Sequence, residues 1–271
     1  MLKQRIITAL ILLPIAFIGF FYLQGGWFSL FFGIVTCIGA WEWAQLAGFS
    51  SDKHRYEYAA LMGLALVILY LLPQLAPFVM LAAIIWWIAA LFMVCTYPAT
   101  MNKWSNPWHQ LWLGFLILLP AWQGLVSLKQ WPYGEVMIFV LMLLVWSSDI
   151  GAYFWGRRYG RRKLALAVSP GKTVEGAYGG LASALFCTFL IAYFFDWGTR
   201  TLLLALLATV IVTGASIVGD LTESMFKRRV GIKDSSNLLP GHGGVLDRID
   251  SLTAAVPVFT TLLWWYGWGS L

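Results

Sequence analysis

Short polar interruptions divide the chain into long apolar runs at residues 6–23, 27–47, 58–72, 75–95, 109–128, 136–155, 173–195, 202–225 and 245–268. This pattern constrains the fold more than any single motif. In hydrocarbon each unsatisfied backbone group costs several kcal/mol, and a helix of about 20 residues spans a bilayer while satisfying its own groups. The composition agrees: 60% of residues are hydrophobic and 11% charged, where a soluble domain has roughly a quarter charged. The expectation is an all-α, polytopic integral membrane protein of about nine transmembrane helices. The third run is short and meets the fourth at the proline-bounded LLPQLAP, so eight or ten spans are the alternatives.

Charge placement tests that count. With nine spans and a cytoplasmic N-terminus, all but Lys129 and Arg200 of the 18 lysines and arginines fall on the inner side, as the excess of basic residues in cytoplasmic loops requires. Removing one early span would split the basic clusters between the two sides. The C-terminus is then predicted outside. The opening MLKQRIITALILLPIAFIGFFYL begins basic, but its apolar run is long and no small-residue cleavage site follows. It reads as a retained span rather than a signal peptide.

The net charge of +6 sits in loops beside spans, with no interleaved basic and aromatic arm, so nucleic acid is not an expected partner. Cys37, Cys95 and Cys187 lie in apolar runs without CxxC or Cys/His spacing, which predicts neither zinc nor a disulfide framework. Many of the 16 tryptophans lie near predicted helix ends, where amphipathic rings settle at headgroup level, while others such as Trp86 and Trp87 are expected against lipid or neighbouring helices.

The two halves differ. Up to Tyr133 the runs are nearly free of charge, with Glu42 in AWEWAQLAG the exception. Residues 1–133 are therefore read as scaffold helices and 134–271 as the catalytic region of one membrane domain. Glu42 is expected to snorkel to the interface or to hydrogen-bond a neighbouring helix.

Three constellations in the second half could carry chemistry. In WSSDIGAYFWGRRYGRRK, Asp149 lies inside an apolar run. A charge there costs a few kcal/mol unless paired or hydrated, so it should face a polar cavity or a cationic partner. The basic residues from Arg157 to Lys163 are explained by topology and anionic lipid. In VSPGKTVEGAYGG, Ser169, Lys172 and Thr173 stand at a helix start, whose free N–H groups and positive dipole end make a phosphate seat. The resemblance to a P-loop is superficial and a nucleotide-hydrolysing P-loop is not expected, because Leu166 stands where that pattern wants glycine.

The third constellation is GASIVGDLTESMFKRRVGIKDSSNLLPGHGGVLDRID. Asp220, Glu223, Ser224 and Lys227 follow at i, i+3, i+4 and i+7 and share one helix face. Asp247 and Asp250 share a face at the next helix start, and Gly241, Gly243 and Gly244 allow a tight turn around His242. Carboxylates from two antiparallel helices could form a hard, oxygen-only site suited to magnesium, which takes one or two carboxylates and completes its shell with water and phosphates. Mutual neutralisation of Asp and Arg is the alternative. His242 is read as a phosphate contact or structural support ahead of a general base.

The run from Ser224 to Asp250, with its serine, Lys-Arg pair, Lys-Asp pair, His-Gly-Gly and closing Asp-Arg-x-Asp, resembles the signature of the phosphatidate cytidylyltransferases, also called CDP-diacylglycerol synthases. It shows no departure from that pattern, and the stretches around Asp149 and from Ser169 to Glu175 are similar to the same family. The resemblance implies a multi-pass enzyme of the bacterial inner membrane that converts CTP and phosphatidate to CDP-diacylglycerol and pyrophosphate. It further implies a homodimer whose cavity opens to cytoplasm and membrane lipid. Asp220 and Asp247 would hold Mg2+, in a site that can also admit a monovalent cation such as K+. Asp250, Lys227 and Arg228 would complete the catalytic group, and Ser169, Lys172, Thr173, Ser224, Lys233, His242 and Arg248 would contact substrate.

Two rival classes remain from the residues themselves. An ion-coupled transporter also carries intramembrane carboxylates, but its sites usually lie near the midplane on broken, repeated helices. A related lipid-phosphate transferase using another nucleotide or a polyprenol phosphate would need the same residue types.

Overall fold

The computed structural model describes residues 2–268. The side chains of Lys3 and Arg5 and the extreme ends of the chain, whose sides the charge pattern predicts, lie outside the described residues. Helix α1 (Leu2–Phe17) continues through a π-helical turn (Ile18–Tyr22) and is followed by α2 (Gly25–Leu46) and α3 (Asp52–Leu71). A 3-10 turn (Pro73–Leu75) leads into α4 (Ala76–Thr96), and the short α5 (Met101–Trp104) precedes α6 (Pro107–Gln130) and α7 (Gly134–Tyr159). Two short strands, β1 (Lys163–Ala165) and β2 (Ser169–Thr173), come before α8 (Val174–Phe194), α9 (Thr199–Arg229) and α10 (Leu246–Trp265).

Every predicted apolar run is thus helical. Six helices are long and apolar enough to cross a membrane by length and composition, namely Gly25–Leu46, Pro73–Thr96, Pro107–Gln130, Gly134–Tyr159, Val174–Phe194 and Thr199–Arg229. The apolar part of the first helix is shorter, Ile6–Tyr22, while α3 and α10 open on charged turns that shorten their apolar stretch. The protein is an all-α, multi-pass membrane protein at this level of description.

Boundaries differ from the sequence reading where charge extends a helix. Helix α3 begins at Asp52 rather than residue 58, because its acidic first residue favours the positive end of the helix dipole. Helix α9 runs past residue 225 to Arg229, and Lys227, Arg228 and Arg229 occupy its last turn, where cations offset the free carbonyls. Residues 163–173 form an antiparallel hairpin, with Lys163 opposite Thr173 and Ala165 opposite Ser169, in place of a plain loop.

Contacts gather alternate helix termini. At one end Thr8 of α1 donates to Pro240 O at 2.9 Å, and Arg229 at the end of α9 donates to Leu46 O of α2 at 2.8 Å and to Ser105 O at 2.7 Å. At the other, Lys129 at the end of α6 donates to Phe20 O at 3.0 Å and pairs with Glu135 at the start of α7 at 3.1 Å. Trp197 and Trp268 meet there at 6.4 Å between ring centroids.

Helix α10 lies inside the bundle, packed against α9, α6, α4, α7 and α2, with Ala254, Ala255 and Val256 fully buried. Several tryptophans are interior anchors rather than interfacial residues. Trp43 donates to Gln110 O at 2.7 Å and packs edge-on against Phe226 at 4.8 Å, and Trp122 donates to Ser29 O at 2.9 Å. Trp86 and Trp87 are also buried. Helices α7 and α8 approach through small residues, as helices in lipid do when backbones must come close. A Cβ on Gly180 would lie 2.6 Å from Ser148 O, and one on Gly176 would lie 2.9 Å from Ala152 O. This closeness carries Asp149 of α7 towards the hairpin that bears Lys172.

Candidate active site

The acid stripe of α9 faces the start of α10. Lys227 Nζ donates to Asp247 Oδ1 at 2.6 Å and to Glu223 Oε1 at 2.9 Å, and all three side chains are buried. Ser224 Oγ donates to Asp220 Oδ1 at 3.3 Å. The i, i+4 spacing therefore produces the two pairs that helix geometry allows. Asp250, one turn into α10, accepts from Ser251 N at 2.8 Å and lies within electrostatic reach of Asp220, Lys227 and Lys172.

A cavity of about 420 Å³ opens between α7, α8 and α9, bordered by Asp149, Arg157, Lys172, Thr173, Asp220 and Ser251. Lys172 Nζ forms an ion pair with Asp220 Oδ2. Asp149 faces this cavity, as predicted, and is close enough to Asp220 and Lys172 to interact with both charges. The hairpin accounts for Lys172 being there: β2 ends at Thr173, whose Oγ1 accepts from Gly176 N at 3.1 Å as the N-cap of α8. Thr173 thereby caps the helix start, and with Val174 N donating to Arg162 O at 2.9 Å the N–H groups expected to be free for a phosphate are already engaged, while Ser169 begins the strand, half-buried. Glu175 fastens the basic loop to the same helix. It accepts from Arg161 N at 2.9 Å and Arg162 N at 3.1 Å, and pairs with Arg162 Nε at 3.0 Å.

The loop between α9 and α10 encloses a second polar cavity of about 690 Å³, bordered by Lys233, Asp234, Asn237, His242 and Arg248. His242 N donates to Leu239 O and Leu239 N to Gly243 O, both at 2.8 Å, which closes the turn. Gly241 and Gly243 take φ of +76° and +80°, a region costly for other residues. Buried His242 Nδ1 has no hydrogen-bond partner among the described residues. Lys233 and Arg248 are exposed at the rim.

Arg228 is engaged as a clamp. Its Nε donates to Val168 O of the hairpin and its Nη1 to Ile232 O, both at 3.2 Å, so it joins the end of α9 to the segment carrying Lys172. The family resemblance placed it in the catalytic group, and the sequence had no signal for these carbonyl partners.

Residues outside the sequence-derived site hold it together. Asp247 Oδ2 accepts from Ser235 N at 2.8 Å, Ser235 Oγ at 2.8 Å and Gly244 N at 2.7 Å. Glu42, fully buried, reaches the same loop from α2. Its Oε1 accepts from Ser236 Oγ at 2.5 Å and Val245 N at 2.9 Å, and its Oε2 from Leu246 N at 2.6 Å and Ser235 Oγ at 3.4 Å. The hydrogen-bonded reading of Glu42 is the one observed. Its singular charge in an apolar run was the only sequence signal, and nothing local named its partners.

These contacts test the fit of a magnesium ion. Among the described residues no group of three or more His, Cys, Asp and Glu encloses a metal position, and magnesium needs only one or two carboxylates alongside water and phosphate. Asp220 fits, because its carboxylate borders the cavity and is already matched to a cation there. Asp247 offers no free oxygen, since three donors occupy Oδ2 and the Lys227 ammonium lies 2.6 Å from Oδ1, so it would meet a metal ion only with Lys227 displaced.

Residues 3–266 match the profile of the Cytidylyltransferase family. The chain is 60% identical over 270 residues to a phosphatidate cytidylyltransferase of Pseudomonas aeruginosa, covering 100% of both chains. It is 40% identical to one of Haemophilus influenzae, over 96% of this chain and 98% of the relative, and 32% identical to one of Staphylococcus epidermidis, over 97% and 99%. With a matching profile over nearly its whole length and full-length relatives at this identity, the chain belongs to the cytidylyltransferase family.

Proposed function

We propose that the protein transfers the cytidylyl group of CTP to phosphatidate, releasing pyrophosphate and forming CDP-diacylglycerol, at the cytoplasmic face of a bacterial inner membrane. The observation that carries the reading is the Lys172 and Asp220 ion pair at the cavity between α7, α8 and α9. It sets a cation and a carboxylate side by side where a phosphate and its metal would need them. The relatives' shared name supplies the substrate pair.

A phosphatidate oxygen is already anionic and needs little deprotonation. It attacks the α-phosphorus of CTP, a new P–O bond forms, and the bond from that phosphorus to the bridging oxygen breaks as pyrophosphate leaves. The barrier lies in bringing two anions together in line, so positioning and charge neutralisation dominate. Lys172 binds phosphate oxygens at the small cavity. Lys233, His242 and Arg248 line the loop cavity, which has room for the nucleotide. Lys227 holds Asp247 in place, and Arg228 keeps hairpin and loop at a fixed separation. Asp220 would hold Mg2+, joined by Asp247 Oδ1 only if Lys227 moves off it, and the ion's charge would offset that of the phosphates and the departing pyrophosphate.

Nine antiparallel spans with the N-terminus inside are consistent with the alternation of helix ends described above and with the basic residues near the site. The carboxylates cluster in the last turns of α9 and the first turns of α10 rather than on broken midplane helices, which favours an enzyme over an ion-coupled transporter. The test is pyrophosphate release by purified protein. It should require CTP and phosphatidate together, and release with either alone would contradict the proposal.

A further inference from the structure

We infer that Glu42, contributed by α2 from the half of the chain read as scaffold, is a positioning residue for the reaction: its buried carboxylate fixes the loop 235–246 and the start of α10, and through them Asp247. The inference rests on the transferase reading above. Helix α10 lacks a side-chain cap of its own, since Val245 stands at the N-cap. Its first N–H groups would be orphaned in a buried setting. Glu42 takes two of them, Val245 N and Leu246 N, and Asp247 takes Gly244 N. The two carboxylates share a further donor, because Ser235 Oγ lies 2.8 Å from Asp247 Oδ2 and 3.4 Å from Glu42 Oε2.

The site has no slack. Gly244 is buried against both Ser235 and Glu42, and any Cβ there would collide with their side-chain oxygens. Four donors converge on the two oxygens of Glu42, and the Arg55 guanidinium lies within electrostatic reach without forming a salt bridge to it. Its charge is balanced by backbone and hydroxyl dipoles at the positive end of α10 and by the field of Arg55, an arrangement that depends on a carboxylate. A glutamine of the same size cannot replace it, because either orientation of the amide sets an NH2 group against N–H or O–H donors. Losing this anchor frees residues 235–246 and lets Asp247 move, and a displacement of about 1 Å can cost roughly 100-fold in rate.

The experiment compares full-length wild-type protein and Glu42→Gln in detergent. It reads amide hydrogen exchange without substrate, then kcat and KM with CTP and phosphatidate. Exchange should accelerate about tenfold or more, confined to residues 235–246 and the first turn of α10. The rate constant kcat should fall about 100-fold with KM for CTP changed less than about threefold, a split that general loss of folded protein would not give. Unchanged exchange in that segment, or unchanged kcat, overturns the inference. Should Glu42→Gln not fold, Ser236→Ala removes one donor at the partly buried rim; faster exchange in the same segment supports the inference, and no change overturns it. Wild-type protein that makes no CDP-diacylglycerol would defeat the transferase reading instead, and the exchange measurement would still decide whether Glu42 anchors the loop.

Discussion

Lys227 Nζ donates to Asp247 Oδ1 at 2.6 Å, joining the last turn of α9 to the first turn of α10 inside the protein. The same ammonium holds Glu223 Oε1 at 2.9 Å, so one cation serves two buried carboxylates. Removing one partner of a buried ion pair strands the other, at a cost of about 3–5 kcal/mol. Lys227→Met should therefore lower the thermal unfolding midpoint clearly, and adding Glu223→Gln should recover part of the loss. A Lys227→Met protein that melts with the wild type would show that the pair contributes nothing to stability.

Asp247→Asn should reduce turnover about 100-fold or more, in the range seen when one group aimed at reacting charge is removed, while the protein remains inserted and folded. Its amide would also place an N–H against a donor already present, Lys227 on one side or Ser235 and Gly244 on the other. Steady-state kinetics beside a melting curve separate the two effects. Near-normal turnover would remove Asp247 from the mechanism.

Gly243 makes a sharper local probe. Its φ is +80°, and a Cβ there would lie 2.6 Å from Asp247 Oδ2. Gly243→Ala should cut activity at least about tenfold by displacing Asp247, on the general sensitivity of catalysis to misplacement. Gly214→Ala is the control, because among the described residues nothing lies within 4 Å of its added Cβ. Equal activity of the two variants would mean that the turn tolerates the shift.

The basic loop offers a pair of substitutions with opposite expectations. Arg161 meets Glu175 through its backbone N–H, so Arg161→Gln should keep activity within about threefold of wild type. Glu175→Gln weakens anchors from Arg161 and Arg162 at the start of α8 and should lower activity more. Inactive Arg161→Gln protein would place that side chain on substrate.

Local features of the chain were legible and its long-range joints were not. The helices follow from apolar length, which is a property of consecutive residues, and the α9 pairs follow from helix spacing. Asp149 could be assigned to a cavity because an isolated charge in an apolar run has few other solutions. The hairpin escaped notice because SPGKT lacks alternation, and its proline, glycine and lysine are residues depleted in strands, with Thr173 alone β-branched. Glu42 and Leu246 are 204 positions apart, and Arg228 and Val168 are 60 apart. Such pairings depend on how helices pack, and a single sequence carries no period that reports them. The separation into scaffold and catalytic halves captured the distribution of charge but not the contacts that Thr8 and Glu42 send into the loop.

The most direct test of cytidylyl transfer uses CTP labelled with radioactive phosphorus at either the α or the γ position, incubated with purified protein, phosphatidate and magnesium. The account predicts that α label enters organic-soluble lipid as CDP-diacylglycerol, that γ label stays in water as pyrophosphate, and that chelating magnesium stops both. Label from the γ position in lipid, or no α label in lipid from protein shown to be folded, would contradict it.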